Sequence, residues 1–394
     1  MAKQTSLITV NPNVIKWIIE SSGWEFEELA KKLNMSEESV HNLVLRESPI
    51  EIRKLEKFAD CVKRPLAVFF LPKPPSEPKL TDYRKVYGIE TKKLSKKTLS
   101  AVREARYFQS IAKELLGTQR LNLKPKITNV TLKNNPETVA LQERKKLGFE
   151  SEEELLSKEA RKSPRNFYNK LREKIESLNI FVFQVGMPIK EARGFTLTDD
   201  FPRTIIVNSS DSIKPKIFTL LHEYGHILLK TEGICLSASE LNKENSKNEL
   251  QRVERWCNAF AGSVLMPKKE FLIQTAKLEE RYDDPKKIID QLSNQFKASK
   301  QAVVVRTLRL NPKSDFAEYY RDSFEEIKSD ALSKSKKNAG KGGPHPVDMC
   351  LSQRGRKFVS LVLDSKNKNL INFNNMMDYL NLNLKHLEKL QEKL

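Results

Sequence analysis

Cysteine is scarce in this chain. Its four copies, Cys61, Cys235, Cys257 and Cys350, lie far apart among 394 residues with no C-x-x-C pair, which argues against a disulfide framework and against a thiolate zinc site. Long apolar runs are missing as well: no stretch approaches the roughly eighteen residues that a membrane-spanning helix requires. The N-terminus MAKQTSLITVNPNV has neither the apolar core of a signal peptide nor the Arg/Ser bias of a transit peptide. A soluble, cytoplasmic protein with reduced thiols and no membrane partner is the expectation. Histidine is also sparse, with five copies at 41, 222, 226, 345 and 386, so any place where two fall together carries information.

What is abundant is positive charge. The net +19 divides into +1 over residues 1–75, +7 over 76–125, +7 over 126–312 and +4 over 313–394. Charge spread this way does not by itself mark a nucleic-acid surface. The length exceeds one ordinary core, and helix signals and composition divide the chain at those same boundaries. They give an N-terminal helical unit (1–75), a basic linker helix (76–125), a central unit (126–312) and a C-terminal helical region (313–394).

In the first unit, Asn11 and Pro12 set an N-cap followed by proline at the first helical position, and Val14, Ile15, Ile18 and Ile19 keep helical spacing. FEELAKKL is a short helix ended by Asn34, a residue that tolerates the left-handed turn. Ser36 then caps EESVHNLVL. Helix, tight turn, helix, with Ala30 at the crossing and a further helix over 50–62, is a helix-turn-helix pattern. The helix in the reading position opens with Glu37 and Glu38, which face phosphates unfavourably, and the unit is nearly neutral. Protein recognition, or simple packing on the next domain, therefore stands beside DNA contact as its role, and His41 reads as a surface or satisfied histidine and not a ligand. In the linker, Leu99 to Leu115 suggest a helix of four or five turns, with Lys92, Lys93, Lys96 and Lys97 on a solvated face or against phosphate.

The central unit reads as a helix, SPRNFYNKLREKIESLNI, and three short strands, IFVFQV, ARGFTLT and RTIIVN, making a small, largely antiparallel sheet. KPKIFTLLHEYGHILLK follows, apolar around most of its circumference and so buried against that sheet. Inside it His222 and His226 project from one face one turn apart, the spacing at which two imidazoles hold a single zinc ion. Glu223 lies beside His222, placed to take a proton from water at the metal instead of binding the metal. With five histidines in the chain, an accidental H-E-x-x-H is on the order of one in a hundred or less. Burying two imidazoles and a carboxylate costs several kcal/mol unless something compensates.

Such a site wants a third protein ligand. His345 and His386 lie in the C-terminal region and do not fit a short continuation of the motif. NELQRVERWCNAFAGSVLMP offers Glu249 and Glu254. Glu254 sits on the edge of the apolar face formed by Val253, Trp256, Cys257, Phe260, Ala261 and Val264, whereas Glu249 falls among polar neighbours. Only Glu254 is placed where burial needs a reason. Cys257, one turn away, is a conceivable soft ligand but reads first as a small core residue.

LLHEYGHILL followed by ERWCNAFAGSVLMP resembles the ImmA/IrrE family of metallopeptidases, and ARGFTL and PRTIIVNSS resemble the strands before that family's active-site helix. The resemblance implies zinc held by His222, His226 and Glu254, with Glu223 as the base, in a zincin-like peptidase domain. The N-terminal unit, ending in RPLAVFFLPKPPSEPKLTDYR, resembles a Cro/repressor-type (XRE) helix-turn-helix, a frequent partner of this domain. It departs from that pattern by its acidic reading helix. The resemblance further implies a protein substrate, a helix-turn-helix repressor cleaved in stress response or mobile-element control. A DNA-binding regulator with a structural or vestigial metal site is the competing reading.

In the C-terminal region DFAEYYRDSFEEIKSDAL reads as a helix, SKSKKNAGKGGPHPVD as a mobile Lys/Gly-rich loop containing His345, and INFNNMMDYLNLNLKHLEKL as helix, Asn turn, helix, with Met376 and Met377 in its core. The fold class expected is mostly α with a small antiparallel sheet (α+β).

Overall fold

The computed structural model describes residues 7–62, 64–75, 94–117, 127–148, 163–231, 233–235, 249–311, 319 and 344–394. The helix expected over 315–332 (apart from Tyr319), the Lys/Gly-rich loop before Pro344, and Lys92 and Lys93 lie outside these residues. The fold is mostly α with small sheets of few strands. Contacts gather the chain into two compact units, one within Met1–Lys79 and Thr91–Glu104, the other within Leu80–Glu90 and Ala105–Leu394.

The first unit packs α1 (Pro12–Ser22), α2 (Phe26–Leu33), α3 (Glu37–Leu45) and α4 (Ile52–Val62) around Val14, Ile18, Leu29, Val40, Leu55 and Phe58. Each boundary has a local cause. Asn11 caps α1 through Asn13 N–H, Ser36 caps α3 through Ser39 N–H, and Asn34 takes the left-handed conformation at φ 59° between α2 and α3. One feature is unforeseen: strand β1 (Leu7–Thr9) pairs antiparallel with β2 (Pro49–Glu51), which delays the start of α4 to Ile52. Glu37, Glu38 and His41 are exposed on α3, the His41 ring stacked 4.3 Å from Phe26. Helix α5 (Lys96–Leu116) is longer than its apolar spacing suggests. Lys96 at its start bonds Glu28 at 2.6 Å and lies 3.6 Å over the Trp24 ring, so this lysine is engaged within the unit.

The second unit is built on α6 (Pro136–Lys146), α7 (Pro164–Ser177) and four strands, β3 (Phe181–Val185), β4 (Gly194–Leu197), β5 (Thr204–Asn208) and β6 (Gly233–Cys235). The strand order is β3-β5-β4-β6. The two pairings of β4 are antiparallel, but β3 and β5 run parallel. The sheet is therefore mixed, because β5 inserts between β3 and β4, and it gains a fourth strand that the sequence pattern does not announce. Alternation along β3 puts Val182 into one core with Ile205, Val207 and the helices α8 and α9 described below, and Phe181 and Phe183 into another. That second core contains Phe108 and Ile111 of α5 and Val347, Phe358, Val362, Met376 and Leu380 of the C-terminal helices. Asn208, fully buried at the end of β5, bonds the Met187 N–H and the Met187 and Ala192 carbonyls, and so pins the β3–β4 connection.

Helix α8 (Ile213–Leu229) lies against β4, β5 and α7, and α9 (Glu249–Leu265) packs along α8 and α6. Every residue of α8 from Ile217 to Leu228 is buried, as an apolar circumference requires. After α9 come α10 (Lys268–Glu279), α11 (Pro285–Gln295) and α12 (Lys300–Leu310). The C-terminal helices are α13 (Pro346–Arg354), α14 (Arg356–Asn367), α15 (Phe373–Leu380) and α16 (Leu387–Glu392). Asn381 takes the expected left-handed turn after α15. His345 caps α13, accepting from Val347 N–H, with its ring 5.2 Å from His386.

Candidate metal centre

The crossing of α8 and α9 builds the centre. Gly225, between the two histidines, lies so close to α9 that a Cβ there would meet Cys257 Sγ at 3.2 Å, Cys257 Cα at 3.3 Å and Phe260 Cδ1 at 3.3 Å. Glycine facing a small cysteine lets the helix backbones approach. Cys257 thus serves as core spacing, and it lies outside the cluster of candidate ligand atoms.

Helix α9 is held in register from its far end. Arg144 of α6 donates to Val264 O at 2.6 Å, and Arg306 of α12 donates through Nε to Met266 O at 3.0 Å while pairing through its two terminal guanidinium nitrogens with Glu137. These arginines satisfy carbonyls that a helix end leaves unbonded. Trp256 adds a bond to Asn134 O at 2.8 Å and stacks on Phe260.

One turn into α9, Glu254 reaches both histidines. Its Oε1 lies 3.1 Å from His226 Nε2 and its Oε2 3.5 Å from His222 Nε2, and the two Nε2 atoms are 3.2 Å apart. All three residues are at most 1% exposed, as is Glu223. Glu249 at the start of α9 is exposed. The site residues expected from sequence, His222, Glu223, His226 and Glu254, are thus brought to one place, and His345 is not among the clustered ligands.

Two nitrogens and a carboxylate oxygen, all within 4.8 Å of one another, suit a divalent metal with nitrogen and oxygen preference, zinc among them. The electrostatics point the same way. Burial lowers and Glu254 raises the proton affinity of both imidazoles, with opposite balance. His222 ends above its ordinary value, helped by Glu223, and His226 below it. Burial would push the Glu254 carboxyl up, but the two imidazoles hold it well below the usual carboxylate range. A buried, ionised carboxylate between two imidazoles is a cation-binding arrangement.

The local turn after α8 adds a residue that sequence patterns do not reveal. Lys230 ends the helix in the left-handed conformation, and Thr231 N–H returns to His226 O at 3.0 Å. This places Thr231 Oγ1 2.8 Å from His226 Nδ1, while the same hydroxyl points at His226 O at 3.5 Å. Where the hydroxyl gives its hydrogen to that carbonyl it can accept from Nδ1–H, and that tautomer leaves the Nε2 lone pair facing Glu254 and His222.

Glycine also makes room for Glu223. At Gly194 of β4 a Cβ would lie 2.9 Å from Glu223 Oε1 and 2.7 Å from Thr219 Cγ2. Behind the helix, the Tyr224 hydroxyl donates to the buried carboxylate of Glu143, which Thr128 and Lys146 also contact. Among the described residues His222 Nδ1 and Asn258 Oδ1 are buried without a hydrogen bond.

No helix among the described residues is long and apolar enough to cross a membrane. Neither the curated proteins nor the solved structures contain a match to the chain. The family model for the IrrE N-terminal-like domain, of peptidase family M78, does match, over residues 175–308. That segment, which runs from the end of α7 into α12 and carries His222, Glu223, His226 and Glu254, is similar to a metallopeptidase-family domain.

Proposed function

We propose that the chain is a zinc-dependent endopeptidase that cleaves a transcriptional repressor or similar regulatory protein in the cytoplasm, in stress response or mobile-element control. The observation that carries this reading is the buried meeting of His222, His226 and Glu254 on two crossed helices, with Glu223 adjacent, inside the segment that matches a peptidase family. His222, His226 and Glu254 would hold the metal. When bound, zinc supplies Lewis acidity toward a peptide carbonyl and acidifies water in its coordination sphere. Glu223 accepts the proton of the attacking water and returns it to the departing amine nitrogen. Thr231 keeps His226 in the ligating tautomer, and Gly194 leaves the volume that the Glu223 carboxylate occupies.

The helix pair α2–α3 in the N-terminal unit acts, in this reading, as a helix-turn-helix that recognises the protein substrate. Glu37 and Glu38 at the head of α3, and Lys96 held by Glu28 and Trp24, disfavour phosphate contact there.

Glu223→Gln tests the function. The variant should retain zinc near one equivalent, lose cleavage, and trap the substrate in a pull-down. Cleavage at the wild-type rate would overturn the reading.

A further inference from the structure

We propose that Asn258 is a positioning residue of the metal centre, its amide oxygen accepting the Nδ1 proton of His222 and so presenting that ring's Nε2 to a divalent cation. The inference rests on the reading that the site holds metal, and it assigns to Asn258 the part that Thr231 plays for His226.

Both imidazoles turn Nε2 inward toward Glu254, so both turn Nδ1 outward. His226 Nδ1 is met by Thr231 Oγ1 at 2.8 Å. His222 Nδ1 is buried, and among the described residues it closes no hydrogen bond. Asn258 Oδ1 is buried in the same condition. The two are complementary, one a donor and the other an acceptor. Asn258 follows Glu254 by one helical turn on α9, on the side of that helix that Glu254 presents to the histidines. A donor and an acceptor buried in one site without partners are each unfavourable, and a small ring rotation as Nε2 takes up a cation joins them.

The choice of an amide follows from charge. Glu254, held ionised, already brings a negative charge into a site that is at most 1% exposed, beside the Glu223 carboxyl. A neutral acceptor orients His222 without adding a further charge to a buried centre. With its oxygen turned to Nδ1, the amide accepts the ring proton and holds the Nδ1–H tautomer.

The test uses the full chain, Zn2+ alone as the probe, and a chromophoric chelator as competitor, with wild type, Asn258→Leu, Asn258→Asp and Thr231→Val compared. Asn258→Leu should bind zinc roughly ten- to hundredfold more weakly, and Thr231→Val should lose a comparable factor. Asn258→Asp, which keeps shape and acceptor, should bind at least as tightly as wild type. Nitrogen-15 spectra of the zinc-loaded protein should show His222 protonated at Nδ1 in wild type and in Asn258→Asp. Affinity within twofold of wild type in Asn258→Leu, or equal losses in the Leu and Asp variants, would overturn the inference while leaving the metal site intact. A wild-type chain that takes up no zinc would overturn the function proposed above, and this inference with it.

Discussion

Replacing Gly194 by alanine separates Glu223 from the candidate metal ligands around it. Gly194 is clamped in the middle of the sheet, paired with Val207 of β5 on one side and Cys235 of β6 on the other, so its backbone has little freedom to retreat. The added methyl would stand 2.9 Å from Glu223 Oε1, 2.7 Å from Thr219 Cγ2 and 2.9 Å from Ile206 O, all closer than van der Waals contact. Overpacking of this kind costs about 1–3 kcal/mol, a fall in melting temperature of roughly 2 to 10 °C for a unit of this size. The flexible member of the contact is the Glu223 side chain, so the carboxylate moves first, while His222, His226 and Glu254 lie outside the contact. Displacing a catalytic group by a sizeable fraction of an ångström costs up to about a hundredfold in rate. Gly194→Ala should therefore keep zinc near one equivalent by elemental analysis, melt several degrees lower, and hydrolyse quenched-fluorescence peptides about ten- to a hundredfold more slowly. Wild-type turnover with wild-type melting would show that the volume beside Glu223 is not limiting. Loss of zinc together with activity would show that the helix, not the side chain, yields.

The third ligand is tested by a pair of variants: Glu254→Ala should lose zinc affinity severely, whereas Glu249→Ala, altering an exposed residue, should keep it, and equal zinc contents in the two would refute the assignment. Zinc affinity should also depend on pH with a definite sign. The folded pKa of His222 is raised above its ordinary 6.5, so its proton competes with metal as the pH falls through that raised value, whereas His226 and Glu254, both lowered, take up protons only at lower pH. Affinity should rise with pH, about tenfold per unit for one displaced proton, and level off above the raised His222 value. A titration whose slope lies wholly below pH 6.5 would contradict this ordering.

The parts of this structure that were legible in the sequence are those that one helix or strand decides for itself. Asn11, Asn34 and Ser36 terminate helices through their own side chains or backbone tolerance, and each does so where expected. His222 and His226 meet because 3.6 residues make a turn, and Glu254 was identifiable because a carboxylate on an apolar face demands a reason for burial. The features that escaped are made by elements distant in sequence. The parallel pairing of β3 with β5, and the addition of β6, depend on which strand edge a returning chain finds, and three residues are too few to show alternation. PETVALQERKK carries almost no amphipathic pattern, yet it buries Glu143 and Arg144, because the acceptors and donors that satisfy them, the Tyr224 hydroxyl and Val264 O, come from α8 and α9. Thr231 was invisible for a further reason. Its position follows from a left-handed Lys230, a conformation for which lysine gives no signal as glycine or asparagine would. The candidate ligands of the centre therefore announce themselves through side-chain spacing. The groups beside them, such as Thr231, arise from how helices end and cross, and these can be recognised only once α8 and α9 are seen together.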